Sequence, residues 1–294
     1  MSSALRKQRR PQIAIAGANG RVGAALVSNL LGDKVDIFAL SRAHHADKLP
    51  EAATLRTVNF GELRSLNEAL DGIERLFLSH GTSAQQVVNE IALIDAAVAA
   101  GVTHIVKLSV MGPASKLHPF DWHMEIEAHL ASKDIGYTIL RPSSFVDILA
   151  RAGAAVSAGS WGGTAAHGRV NLIDTRDVAA AARIALLETE FANSQRAYHL
   201  TGPSPVTMPE VAEELSRLLG KTVIYQHRTQ DEQRQILVAS GASDLVANVL
   251  LGIDRLFRES VLAETTATFT ELTGRAPRSV ATWLSENIEV FRSS

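Results

Sequence analysis

The feature that most constrains this chain is a glycine-spaced loop near its start. Residues 12–16 form a short apolar run, and Gly17-Ala18-Asn19-Gly20-Arg21-Val22-Gly23 follows at once, ahead of a helical pattern over 24–31. The order is strand, G-x-x-G-x-x-G turn, helix. Glycines allow the tight turn and let the backbone come close to a ligand. The start of a helix adds unpaired N–H groups and the positive end of a dipole. The loop therefore predicts a pyrophosphate cradle built from Gly17, Asn19, Gly20, Arg21, Val22 and Gly23. A tight turn with no ligand is the alternative.

The rest of the chain repeats the pattern. Strand-like runs at 35–40, 55–58, 75–79, 104–109 and 137–140 alternate with helical patterns at 63–70, 83–100 and 121–131. Gly32, Gly72 and Gly101 stand just past three helices, where a C-terminal glycine belongs. Strands separated by helices imply right-handed βαβ units and a doubly wound parallel sheet, an α/β fold of Rossmann type. Two more strands, 169–173 and 197–200, flank a helix over 176–187. Beyond Thr201 the pattern turns mainly helical, with a helix over 208–219 closed by Gly220 and a short strand at 222–225. The expected division is a dinucleotide-binding domain over 1–200, with a basic tail at 1–10. A smaller, mostly helical cap over 201–294 would not fold independently.

The end of the second strand selects the dinucleotide. An acid there usually bonds the ribose hydroxyls of NAD. This chain has Leu40-Ser41-Arg42, and Asp36 comes too early in the strand to replace the acid. A guanidinium forks onto a 2′-phosphate that an acid would repel, and Ser41 adds a hydroxyl. The expected cofactor is NADP(H). Asn59 and Phe60 end the third strand, where an amide and a ring suit adenine; a turn Asn and a core Phe are the alternative. Ser79 and His80 end the fourth strand and are expected to border the ribose or the nicotinamide.

Several classes are excluded or demoted. Lys and Arg number 29 against 31 Asp and Glu, a net charge of −2, which weighs against a nucleic-acid binder. The basic cluster Arg6, Lys7, Arg9 and Arg10 is read as a solvated terminus. With no cysteine there is no disulfide framework and no thiolate chemistry. No run approaches the roughly 18 apolar residues of a membrane span, and no secretory pattern opens the chain. The expectation is a soluble, cytoplasmic protein. There is no H-E-x-x-H and no G-x-S-x-G, and the 10 histidines form no clear ligand set, so no metal site is expected.

These residues resemble the NmrA-like group of atypical short-chain dehydrogenase/reductases over nearly the whole chain. The resemblance rests on the glycine loop, Leu40-Ser41-Arg42, Val106-Lys107-Leu108-Ser109, Tyr137-Thr138-Ile139-Leu140-Arg141-Pro142 and Asp174-Thr175-Arg176-Asp177-Val178-Ala179. Tyr198-His199-Leu200-Thr201-Gly202-Pro203 and Leu272-Thr273-Gly274-Arg275-Ala276-Pro277 extend it. It implies NADP binding and, as the leading activity, NADPH-dependent reduction of a quinone or related flat aromatic enone by hydride transfer. The family also holds redox-sensing regulators without turnover and tailoring proteins of aromatic polyketide pathways, some implicated in joining two monomers. Those remain the alternatives, and a homodimer is the assembly allowed for. The resemblance also implies a substrate cleft lined by Phe145. Met111 and Trp161 are further candidates for an apolar wall; each of the three could equally be core.

The wider superfamily handles its proton with a Tyr-x-x-x-Lys pair. Here Pro119 stands at the tyrosine position and His123 at the lysine position. His123 is the leading candidate for proton handling, because an imidazole titrates near neutral pH. Glu127, one turn on, could orient it. Ser109 ends the fifth strand, near where the usual serine sits. His80 and His118 are weaker candidates, read as strand-end and loop histidines. Asp121 is read as the cap of its helix, and Asp177 as a structural acid in a first helical turn.

Overall fold

A computed structural model describes residues 10–42, 53–113 and 116–292. Arg6, Lys7 and Arg9 of the expected basic tail lie outside the described residues. The elements run β1 (Gln12–Ala16), α1 (Arg21–Leu30), β2 (Asp36–Ser41), β3 (Thr54–Thr57), α2 (Leu63–Leu70), β4 (Arg75–Leu78), α3 (Gln86–Ala99) and β5 (His104–Leu108). They continue through α4 (Phe120–Ala131), β6 (Gly136–Pro142), β7 (Ser144–Phe145), a 3-10 turn, α5 (Gly153–Ser157), β8 (Gly162–Gly163), β9 (Val170–Ile173) and α6 (Thr175–Leu187). The last part holds β10 (Gln195–Leu200), β11 (Pro205–Val206), α7 (Met208–Leu219), β12 (Gln226–His227), α8 (Gln230–Ala239), α9 (Asp244–Arg258), α10 (Thr268–Thr273) and α11 (Val280–Glu286).

The main sheet has seven strands in the order β10-β6-β5-β4-β1-β2-β3. Pairing is parallel, with Ala16 beside Leu40, Ser41 beside Thr57 and Phe77 beside Val106. The order reverses between β1 and β4: from β1 the chain winds out to β3, then returns to β4 and winds the other way. Outside the carboxyl ends of the strands at such a switch point lies the ligand crevice of doubly wound sheets. Ile13 to Ala16 are all buried, as expected of a central parallel strand covered on both faces. Two smaller sheets, β11-β9-β7 and β12-β8, complete the strands.

The chain divides into two compact units. The first holds 1–108, 126–139 and 182–196; its core gathers Ala14, Leu40, Leu66, Leu70, Leu76, Leu93, Ile94, Ile105 and Leu130. The second holds 109–125, 140–181 and 197–294; its core gathers Phe120, Val146, Trp161, Leu172, Leu215, Phe257, Trp283 and Phe291. In the second unit α7 opens with a capping box, the Thr207 hydroxyl accepting from Glu210 N–H while the Glu210 carboxylate accepts from Thr207 N–H. It closes on Gly220 at φ 66°.

Two local expectations are corrected. Gly32 does not take the left-handed conformation, because α1 ends at Leu30 and its last turn closes through Leu31. The strand expected at 222–225 falls later, at Gln226–His227, where it pairs with Gly162 and Gly163. Among the described residues no helix is long and apolar enough to cross a membrane.

Candidate functional site

In the first unit the glycine loop is built as its spacing predicts. Gly17 has φ +78°, and a Cβ there would lie 2.9 Å from the carbonyl oxygen of Ser79. Any side chain at Gly23 would meet the carbonyl oxygen of Gly17 at 2.1 Å. The loop closes on itself through Gly20 N–H to Gly17 O, 2.9 Å. Gly20 caps α1 with no side-chain hydrogen bond, and the first turn of α1 carries no acid. No acid in that turn opposes the positive end of the helix dipole, which favours an anion.

The other candidates stand at the carboxyl ends of the neighbouring strands. Ser41 is buried and its Oγ donates to the carbonyl of Arg42 at 3.2 Å; Arg42 is exposed. Asn59 follows β3, and its amide works within the turn: Oδ1 accepts from Gly61 N–H at 3.1 Å and Nδ2 donates to Glu62 at 2.8 Å. Phe60 is half-buried against the unit's core and meets His80 edge-on, centroids 5.8 Å apart. His80 is held at both nitrogens. Nδ1 lies 2.7 Å from the Gly81 carbonyl, which only accepts, so Nε2 accepts from the Asn89 amide at 3.0 Å. The structure thus groups the glycine loop, Ser41, Arg42, Asn59, Phe60, Ser79 and His80 along one edge of the sheet.

The first unit also holds a buried ion pair. Lys107 on β5 and Glu90 on α3 are both inaccessible to solvent and meet at 2.8 Å, and Gln86 donates to the other Glu90 oxygen at 3.0 Å. In the sequence Glu90 falls within an otherwise apolar helical stretch, and nothing local pairs it with Lys107.

The second unit carries the remaining candidates. Ser109 and Met111 run beside the end of β6, their N–H groups donating to Leu140 and Pro142 carbonyls at 2.8 Å each. Both are buried, whereas Phe145 is half-buried on β7. Trp161 is a core residue, edge-on to Tyr225 with centroids 5.1 Å apart. His123 is half-buried on α4, its N–H bonded to the Pro119 carbonyl at 3.1 Å, and Glu127 lies one turn further. Asp121 is not the cap expected of it. The helix begins at Phe120, and the Asp121 carboxylate accepts from Trp122 N–H at 3.0 Å and from His118 Nδ1 at 2.7 Å.

Asp177 is a structural acid with partners that the sequence did not suggest. It is fully buried and accepts from the Arg275 and Arg278 guanidinium groups and from Arg278 N–H. Nearby Asp174 is also buried. Burial works to raise its pKa, but the Arg176 hydrogen bonds outweigh that and hold the carboxyl below its usual range. Among the described residues no group of three or more acidic or histidine side chains could hold a metal ion.

Comparison with known proteins places this geometry. The NmrA-like family model matches residues 9–268. The chain belongs to the NmrA-like family. It is 30% identical to quinone oxidoreductase 2 of Escherichia coli strain K12, over 95% of this chain and 99% of that protein. It is 29% identical to an NAD(P)H azoreductase of Xenophilus azovorans, again over 95% and 99%. A crystal structure of the NADPH-dependent quinone oxidoreductase from Escherichia coli, complexed with NADPH, superposes with a TM-score of 0.85, at 29% identity over 94% of this chain and 99% of that one. A quinone oxidoreductase and an azoreductase thus each match 95% of this chain.

Proposed function

We propose that this protein is an NADPH-dependent oxidoreductase that reduces a quinone, or a related flat aromatic enone, by hydride transfer. The observation that carries the reading is the end of β2, where exposed Arg42 and adjacent Ser41 stand in place of an acid, beside a glycine cradle that backbone atoms keep free of side chains. The reductase names of full-length relatives support it. When bound, NADPH supplies a hydride from its nicotinamide C4. The residues of this chain do the rest. The N–H groups of the loop and first turn of α1, from Gly17 to Gly23 with Asn19, receive the pyrophosphate. Arg42 and Ser41 hold the 2′-phosphate. Phe60 supplies a face for adenine, with Asn59 keeping the turn in shape. Ser79 and His80 border the ribose and nicotinamide.

We assign contact with the substrate to the second unit. Met111 and Phe145 supply apolar surface, Ser109 a hydroxyl and His123 an imidazole. We assign residues 201–294 to the substrate side of the protein, its location to the cytoplasm and its assembly to a homodimer.

The second reading is an NADP(H) sensor without turnover, and Pro119 in place of the tyrosine favours it. Loss of reduced-nicotinamide absorbance over a panel of simple and polycyclic quinones, with NADPH and NADH separately, tests both. Acceptor-dependent loss that prefers NADPH supports the reductase. No loss, with NADPH binding demonstrated in the same samples, selects the sensor.

A further inference from the structure

We propose that His118, held by Asp121, delivers the proton that completes reduction of the acceptor. The inference rests on the reductase reading above. His118 lies in the connection that follows β5 and leads into α4, and in doubly wound folds the connections after strand carboxyl ends are the ones that carry ligand-binding groups. Its Nδ1 is 2.7 Å from Asp121 Oδ1. A carboxylate only accepts, so Nδ1 carries the hydrogen and donates it. The same Asp121 oxygen is fixed by Trp122 N–H at 3.0 Å. The imidazole face is stacked on Trp122, with centroids 4.3 Å apart and planes 24° from parallel. Tautomer and ring plane are both set.

Nε2 is the open end of this ring. Among the described residues no hydrogen bond reaches it, and the side chain keeps 42% of its surface exposed. An imidazole held by a carboxylate at one nitrogen and open at the other is the arrangement that positions a general acid. Asp121 also offsets the positive charge of the protonated ring.

The charged groups of the same segment are Asp121 and Lys116. Helix α9 packs here, since a Cβ on Gly252 would come within 2.7 Å of Leu117 Cδ1. Its nearby charges are engaged elsewhere: Asp254 accepts from Thr164 N–H and hydroxyl at 3.2 Å each, and Arg255 bonds Glu259 at 2.9 Å.

The step balances with the hydride already assigned. After the acceptor has gained that hydride and its two electrons, one oxygen carries negative charge. The Nε2–H bond of the imidazolium breaks, its electron pair stays on Nε2, and an O–H bond forms on the acceptor. Solvent then returns a proton to Nε2.

Two experiments test this assignment. In the first, kcat and KM are measured for native protein, His118→Ala, His118→Asn and Asp121→Asn, with a naphthoquinone and an aromatic enone, with and without free imidazole. His118→Ala should lose about 10²-fold in kcat with KM little changed, and imidazole should restore much of the loss. Asp121→Asn should lose kcat without imidazole rescue. His118→Asn keeps an amide for Asp121 and serves if the alanine variant does not fold. In the second, ¹⁵N shifts of histidine-labelled protein should show the Nδ1–H tautomer at His118, and Asp121→Asn should abolish it. Unchanged kcat in both His118 variants, loss of kcat that imidazole does not restore, or an Nε2–H tautomer at His118 would overturn the proposal. No turnover by the native protein contradicts the reductase reading itself, and the dyad proposal falls with it.

Discussion

The role proposed for Arg42 rests on charge and shape, and both can be tested at one position. A charge-assisted fork onto a phosphate contributes about 1.5–3 kcal/mol, so Arg42→Ala should weaken NADPH binding roughly 10- to 100-fold. NADH, which lacks the phosphate, should bind nearly as before. Calorimetric titration of both cofactors decides it, and equal loss for the two would contradict the assignment. His104 makes a separate prediction. It is buried, its Nε2 is 3.0 Å from the Thr138 hydroxyl, and its Nδ1 has no hydrogen-bond partner among the described residues. Burial, helped by the charge of Arg75, lowers its pKa from 6.5 to about 4. A depressed histidine pKa means that the unfolded chain takes up the proton first. Stability is therefore full above pH 6.5 and falls as pH drops from there toward 4. Thermal melts should show that decline, and His104→Gln should flatten it; an equal decline in the variant would assign it to other groups. The position of Arg42 was legible in the sequence because it directly follows a strand. Asn59 was less so, because only the structure shows its amide spent on Gly61 and Glu62.

At the scale of elements, legibility followed locality. β1, α2 and α7 keep the bounds expected of them because their signals are local: an apolar run before glycines, a helix before Gly72, a helix between Thr207 and Gly220. What the sequence left unseen depended on distant partners. β12 exists only by pairing with two glycines far back in the chain, and Asp177 finds its guanidinium partners 98 and 101 residues away. The Lys107–Glu90 pair joins β5 to α3 in the same non-local way. Removing one partner leaves a buried charge, so Lys107→Met should cost about 3–5 kcal/mol. Adding Glu90→Leu should recover part of that loss, because no ion then remains buried. Urea unfolding of the two single variants and the double variant measures the coupling. A double variant no more stable than the sum of the singles would show that the pair is not coupled.

The doubly wound sheet was legible for the whole molecule, because alternating strands and helices allow few other arrangements. The side sheet β11-β9-β7 was not, since nothing local tells residues 170–173 to leave the main sheet. The chemistry was legible in outline only: the missing Tyr/Lys pair was plain, but the Asp121-held His118 needs coordinates to be seen. A ligand that binds only the folded chain stabilises it, by about 2.7 kcal/mol at a hundredfold excess over Kd. NADPH should therefore raise the melting temperature of native protein and leave that of Gly23→Ala unmoved, because a Cβ there collides with Gly17. An equal rise in that variant would detach cofactor binding from the loop. The central claim is that bound nicotinamide is consumed. Its most direct test is a single-turnover experiment, in which protein loaded with NADPH is mixed rapidly with a naphthoquinone and the reduced-nicotinamide absorbance is followed. The account predicts complete loss in one phase at least as fast as steady-state kcat. Bound NADPH that persists unchanged through the mixing would contradict it.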